Sequence, residues 1–586
     1  MRLDGLSMKE RKDETTSQVE HTVTEVSRRN FLKKAVPVIA GVGLAGALGA
    51  DRVFGSAQTP PPSPGTVLAT ASYVIFHQKV FYAQNGNTGQ IDYSGTDATT
   101  VIQSAVDALA DGGLVFVRRG IYPLTGSIVL GQGIHLLGEQ GAILKVGDGS
   151  QNSLNPFNML EVKGDDVTIE NLELDGNAGS NPNLAGTTLQ PPPANPNMQS
   201  AIVVLSGQNP EILNCYVHDT WNAGVWLAAF DGDVEGAEIA SCHIKRTGRS
   251  YTDPSSSNLP QSANGVYVFG VQGATSRSNI HDNELSDTLG RGIYLHFDTD
   301  SIITNNILTK IPEPSTETAG IVVDDGAKRI IIRGNQISRY GPGILVVWAG
   351  CEDIIVEANN CFDAPNSGGS GSGILVDTST ANGPALRTVI IRGNICKGNA
   401  LPGITVSASE TIVEGNICYD NNKDSGDTPE RRAGILLQTG QSSIISNVSI
   451  IGNRCFDEQF NPTQNYGISV SEMGSQITDI LISNNDLRGN GVGAIGELTC
   501  SQRRVTGNLG YTPQGIATIP VGGSPFTYTN QDGVPEAVYI TGGVVSEISK
   551  GGAVIFTSTP ATVWLEPDES VIVAHLDPPQ MLKDRH

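Results

Sequence analysis

The chain has 586 residues, with 60 acidic against 37 basic side chains for a net charge of −23, 69 glycines, 5% aromatic and 17% charged residues. That is the composition of a turn-rich β protein with a large core, and it argues against coiled coil or disorder. It offers no basic stripe for phosphate and so argues against nucleic acid, while a polysaccharide partner stays compatible through local charge.

At the N-terminus, Ser27-Arg28-Arg29-Asn30-Phe31-Leu32-Lys33 precedes an apolar run from Ala35 to Ala50, and Gly55-Ser56-Ala57 offers a small-residue cleavage site. This pattern predicts a twin-arginine signal over residues 1–57 and an exported, extracytoplasmic protein, secreted or at the cell surface. The run is short and broken by Pro37, below the roughly 20 apolar residues of a span, so no stable membrane insertion is expected. Residues 58–90 then read as a Pro-rich linker and a first strand.

Asp97 is placed to cap a helix whose apolar face is Val101, Ile102, Ala105, Val106 and Leu109. Short strands between turns follow, in Gly112–Val117, Gly120–Leu124, Gly126–Leu130 and Gly133–Leu137. Then a phrase of the form Ile/Val-x-x-Asn recurs, most often with Gly or Asn at its third position, and with its final Asn at 283, 306, 335, 359, 394, 416, 453, 485 and 508. The tightest steps, Asn394 to Asn416 and Asn283 to Asn306, are 22 and 23 residues. A short fixed period holding strands and no helix predicts a β-solenoid over residues 91–515, one coil per repeat. The stacked Asn residues read as scaffold. Cys361, Cys396, Cys418 and Cys455 each lie two residues after a repeat Asn and form one internal column of apolar fillers, with no His among them to suggest a metal. Residues 524–586 change pattern, to short strands between Asn, Gly and Pro turns, and predict a small antiparallel β-domain.

The succession Thr96-Asp97, helix, Gly112-Gly113, Arg118-Arg119-Gly120-Ile121-Tyr122 and Leu137-Gly138 resembles the N-terminal cap and first coils of the pectate-lyase-like superfamily of right-handed parallel β-helices. Together with the Asn repeats the resemblance spans roughly residues 91 to 510. It implies an all-β fold, a right-handed parallel β-helix with an N-terminal capping helix and a small C-terminal antiparallel domain. It leaves the reaction open, because that family includes lyases, hydrolases, epimerases, transferases and phage tailspikes.

Each coil also carries a strand opening with Gly, as in Gly224-Val-Trp-Leu-Ala, Gly265-Val-Tyr-Val-Phe, Gly292-Ile-Tyr-Leu-His, Gly320-Ile-Val-Val-Asp and Gly373-Ile-Leu-Val-Asp. Alternation sends the first and third residues after Gly inward and the second and fourth outward. Two outer columns result: Trp226, Tyr267 and Tyr294, then Phe269, His296, Asp324 and Asp377. Aromatic rings there offer sugar-stacking surface, and His with carboxylates offers proton transfer. The candidate catalytic residues are therefore His296, Asp298, Asp324, Asp325, Asp377 and Arg291. The candidate substrate-binding residues are Trp226, Tyr267, Phe269, Tyr294, Arg249 and Tyr251, the last two on an overhanging loop.

A hydrolase needs two carboxylates roughly 5 to 9.5 Å apart, and Asp298 with Asp324 or Asp324 with Asp377 are the pairs. Asp298-Thr299-Asp300 and Asp324-Asp325 resemble two polygalacturonase motifs, but the Gly-His-Gly of that group is missing. A lyase needs a base, from Lys245, Arg246, Arg249, Arg291 or His296, and in this superfamily commonly calcium held by carboxylates. Two functions follow: an enzyme that cleaves a polysaccharide, or a non-catalytic surface or tailspike-like glycan binder, for which a trimer is compatible.

Overall fold

The structure, a computed structural model, describes residues 71–151, 156–181, 199–248, 263–269, 274–310, 319–348, 350–366, 370–378, 386–424, 426–439, 444–511 and 515–585. The twin-arginine stretch and the Pro-rich segment lie outside these residues.

Three long, predominantly parallel sheets wind into a β-helix. The first holds the strands of the Asn phrase, such as Asn279–His281, Ile302–Thr304 and Ile331–Arg333. The second starts just after each Asn, as in Glu284–Ser286, Ile307–Thr309 and Gln336–Ser338. The third holds the Gly-opened strands, as in Ile293–His296, Ile321–Asp324 and Ile344–Val347. Register keeps like over like: Ile280 pairs Ile303, which pairs Ile332, and Leu295 pairs Val323. Inward rows of Ile, Val and Leu are fully buried and form one continuous core along the solenoid.

The repeat Asn residues sit where the first sheet turns into the second. Asn394 shows the pattern. Its Nδ2 donates to the Val356 carbonyl and to Asn416 Oδ1, both at 2.9 Å. Its own Oδ1 accepts from the backbone and side-chain nitrogens of Asn359 at 2.9 and 3.0 Å. The same bonds recur between Asn283 and Asn306 and between Asn485 and Asn508, so the ladder satisfies the turn's buried amides coil after coil. A second ladder, Asn399 to Asn421 to Gln464 to Asn490, runs beside part of it. Its signal in the sequence is a spacing: Asn399 and Asn421 lie five residues after Asn394 and Asn416. Cys361, Cys396, Cys418 and Cys455 pair in register as free, fully buried thiols in one column.

Among the described residues the one α-helix, Ala98–Asp107 (α1), precedes the first coils, with Asp97 accepting from the Thr99 amide at 3.2 Å as its cap. The lead-in is longer than the sequence suggests. Strands Tyr73–His77, Phe81–Asn85 and Ile91–Gly95 pair antiparallel in succession, and Tyr73–His77 also joins Gly113–Val117 in parallel. At the other end, two antiparallel four-stranded sheets hold their own small core around Val538, Ile548, Val563 and Val573. Strand Ile516–Ile519 pairs antiparallel with Gln580–Arg585 in one of these sheets.

Candidate functional site: an imidazole–carboxylate group on the third sheet

The alternation of the Gly-opened strands holds. Ile293 and Leu295 belong to the core, whereas Tyr294 and Val322 belong to a separate apolar cluster on the outer face of the sheet. His296 and Asp324 are register partners on adjacent coils.

They are also bonded. His296 Nδ1 lies 2.6 Å from Asp324 Oδ1, and the Tyr294 hydroxyl donates to Asp324 Oδ2 at 2.6 Å. Asp325 Oδ2 stands 3.4 Å from the same Nδ1. A carboxylate only accepts, so the proton between His296 and Asp324 is assigned to Nδ1, which leaves the Nε2 lone pair free. Among the described residues nothing bonds Nε2. Phe269 stacks on the imidazole at 4.6 Å and Phe297 meets it edge-on at 4.1 Å, fixing the ring. Burial and the Asp324 charge push the Tyr294 phenol up, so it stays a donor. Burial, reinforced by Asp324 beside it, raises Asp325, and His296 opposes the shift. Arg291 lays its guanidinium over the Tyr294 ring, 4.4 Å from the centroid.

Other expected residues fall elsewhere. Asp298 does not join the group. It is fully buried, neither carboxylate oxygen has a hydrogen-bond partner, and the nearby Ser301 hydroxyl is turned to the Thr299 carbonyl at 3.3 Å. Burial pushes its pKa up to about 6. The reason is local: Phe297 takes a left-handed φ of 58°, which ends the strand's alternation and swings Asp298 inside. Asp377 stays on the outer column but two registers on, past Val347, so about 9.6 Å from Asp324 by strand spacing. Trp226, Tyr267 and Tyr294 are 0%, 1% and 4% exposed, so they are not open stacking platforms. They stack on one another at 5.5 and 5.1 Å, and Trp226 Nε1 donates to the Phe269 carbonyl, closing the column into an apolar cluster with Phe230 and Val347. Phe269 remains half-buried against His296. Arg249 and Tyr251 lie outside the described residues.

One residue escaped the sequence reading. The position five after the opening Gly is left-handed on several coils, at Ala229, Phe297, Asp325 and Trp348. Bulky residues are strained there, and Trp348 with φ 73° is also 43% exposed, one coil beyond Asp325. It is the open aromatic that the buried column is not. The signal was the fixed offset from Gly343.

The sequence matches the right handed beta helix region over residues 124–362 and 367–512, well over half the chain. This chain belongs to the right-handed β-helix family. Solved structures of similar fold include the A-module of the mannuronan C-5 epimerase AlgE6 of Azotobacter vinelandii (16% identity, 71% of this chain and 96% of that one, TM-score 0.41). They include gene product 12 of bacteriophage phi29 (16%, 72% and 57%, 0.46) and a mutant tailspike protein of E. coli bacteriophage HK620 in complex with pentasaccharide (11%, 89% and 99%, 0.44). At these identities the likeness concerns the fold alone. Among curated proteins no sequence matched.

Within this β-helix the donors for a cation at the third sheet are one imidazole and two carboxylates, with their ligand atoms inside 4.8 Å. No helix among the described residues is long and apolar enough to cross a membrane.

Proposed function

We propose that this protein is exported through the twin-arginine route, binds a polysaccharide along the outer face of its third sheet, and acts on it by acid–base chemistry centred on His296. The carrying observation is the His296–Asp324 pair at 2.6 Å with Nε2 unengaged. Asp324 holds the imidazole in one tautomer and stabilises the cation formed when Nε2 takes a proton, and the Tyr294 hydroxyl donates to the second carboxylate oxygen and keeps the group oriented.

This arrangement favours proton abstraction from a sugar carbon, as in elimination or epimerisation of a uronate, over hydrolysis by two carboxylates. Asp324 and Asp325 both crowd one imidazole nitrogen, Asp298 is sealed inside, and Asp377 stands at the outer limit of the hydrolytic range. Abstraction next to a carboxylate needs positive charge nearby, which Arg291 brings to the Tyr294 edge of the group.

The test is a panel of neutral and uronic-acid polysaccharides. Ultraviolet-absorbing unsaturated ends mark elimination, an altered uronate ratio in chains of unchanged length marks epimerisation, and new reducing ends without absorbance mark hydrolysis. His296→Ala is expected to lower kcat about 10² to 10⁴-fold, the range of one positioned base. Asp324→Asn should lower it nearly as far and leave binding of the polymer intact. A panel on which the native protein turns over nothing, yet binds, makes it a non-catalytic glycan binder.

A further inference from the structure

The second sheet carries an open groove that the acid–base group does not use. Its floor is the in-register run Tyr216, His243 and Glu284 on one outward row and Lys245 and Ser286 on the next, above the buried Ile244. The cavity is about 380 Å³, the size of one or two sugar rings. Tyr216 is 36% exposed, and its ring is held by His218 stacked behind it at 4.5 Å. A rigid, half-open ring on a flat sheet is the apolar platform a sugar face needs.

The Lys and Arg side chains around the groove have acidic partners, save one. Lys145 pairs with Asp175 at 3.0 Å, Arg246 with Asp219 through two bonds at 2.6 and 2.5 Å, and His243 with Glu284 at 3.2 Å. Although burial works against it, Arg246 and His218 hold the Asp219 carboxyl down at about 2, so it is ionised at neutral pH. Lys245 is half-buried in the groove wall and, among the described residues, its ammonium has no acidic partner. In a chain of net charge −23 an unmatched ammonium beside an open Tyr is an anion-selecting feature.

We propose that this groove is a second, non-catalytic saccharide site, which takes a carboxylate-bearing sugar with its ring on Tyr216 and its carboxylate on Lys245. The choice of a sugar rests on the polysaccharide reading above, and the site itself is independent of turnover. It lies on a different sheet from His296, so a long polymer would be held at one face and worked on at another, which raises residence time without a new catalytic contact.

The experiment is native electrophoresis of the full chain in gels containing a uronic-acid polymer or a neutral glucan, followed by titration with uronate oligosaccharides. The uronate gel should retard the native protein and the neutral-glucan gel should not. Lys245→Met and Tyr216→Ala should each weaken oligosaccharide binding at least tenfold, and Lys245→Arg should restore most of it. Lys245→Met changes an outward side chain, and an unaltered thermal melt shows that it folds. Groove variants retarded like the native chain overturn the inference, as does a native chain that the uronate gel fails to retard while it still turns the polymer over. The acid–base reading fails separately, if His296→Ala keeps native turnover.

Discussion

At the scale of single residues, the corner that follows each third-sheet strand decides what is site and what is core. Up to His296 the side chains alternate as any strand dictates, and the pairing of His296 with Asp324 was legible from Gly spacing alone. One residue later the left-handed Phe297 breaks the period, and Asp298, which alternation places beside the site, becomes an orphaned carboxyl inside. Its raised pKa has a measurable consequence. A folded-state value of about 6 against an ordinary 3.8 means that protonation costs nothing below pH ~4, where both states hold the proton. As pH rises from 4 through 6 the unfolded chain ionises first and stability falls, by about 3 kcal/mol for the full shift of roughly two units. Asp298→Asn should therefore raise the thermal midpoint at pH 7.5 and leave it nearly unchanged at pH 4. Calorimetry showing the same change at both pH values would remove the buried-charge account. The burial of Trp226, Tyr267 and Tyr294 was not legible for a related reason: periodicity tells which side of the sheet a ring occupies, but not what packs over it.

At the scale of elements, the fold was readable because each coil repeats the same solution to the same problem. A turn between the first and second sheets buries backbone amides that have no strand partner, and an Asn whose side chain carries both a donor and an acceptor answers each of them. The ladder then sets the register, and the register sets both outer columns. Asn394→Ala removes the donor to Val356 and the acceptor that serves two nitrogens of Asn359. With each unsatisfied buried group worth about 1–3 kcal/mol, the expected loss is about 3–5 kcal/mol, read from the denaturant midpoint at constant slope. A loss below about 1 kcal/mol would mean that strand stacking alone sustains the turn. The second ladder beginning at Asn399 is less legible in the sequence because it spans fewer coils and lies five residues beyond the repeated phrase.

At the scale of the whole molecule, a solenoid is stable only if its two open ends are closed, since each end coil presents unpaired strand edges and an exposed slice of core. At the N-terminal end the strands from Tyr73 and α1 fill that place, with Ile102 and Ala105 fully buried in the common core. At the other end the last first-sheet strand, Ser501–Thr506, meets the C-terminal domain: the Val505 amide donates to the Gly533 carbonyl at 2.7 Å. Gly533 has a left-handed φ of 72°, and a side chain there would also press on Val505 at 3.1 Å, so the position favours Gly. The C-terminal domain has its own core, so its sheets do not need the solenoid for hydrophobic burial, whereas the solenoid needs the domain to cover its final edge. A chain ending at residue 511 should fold its coils yet self-associate through the uncovered edge, seen as a rise in mass by light scattering after size exclusion and as earlier heat-induced aggregation. If that truncated chain stays monomeric with an unchanged midpoint, the edge is already blunted by the exposed polar side chains and Arg504 along Ser501–Thr506, and the domain must be explained by attachment rather than capping.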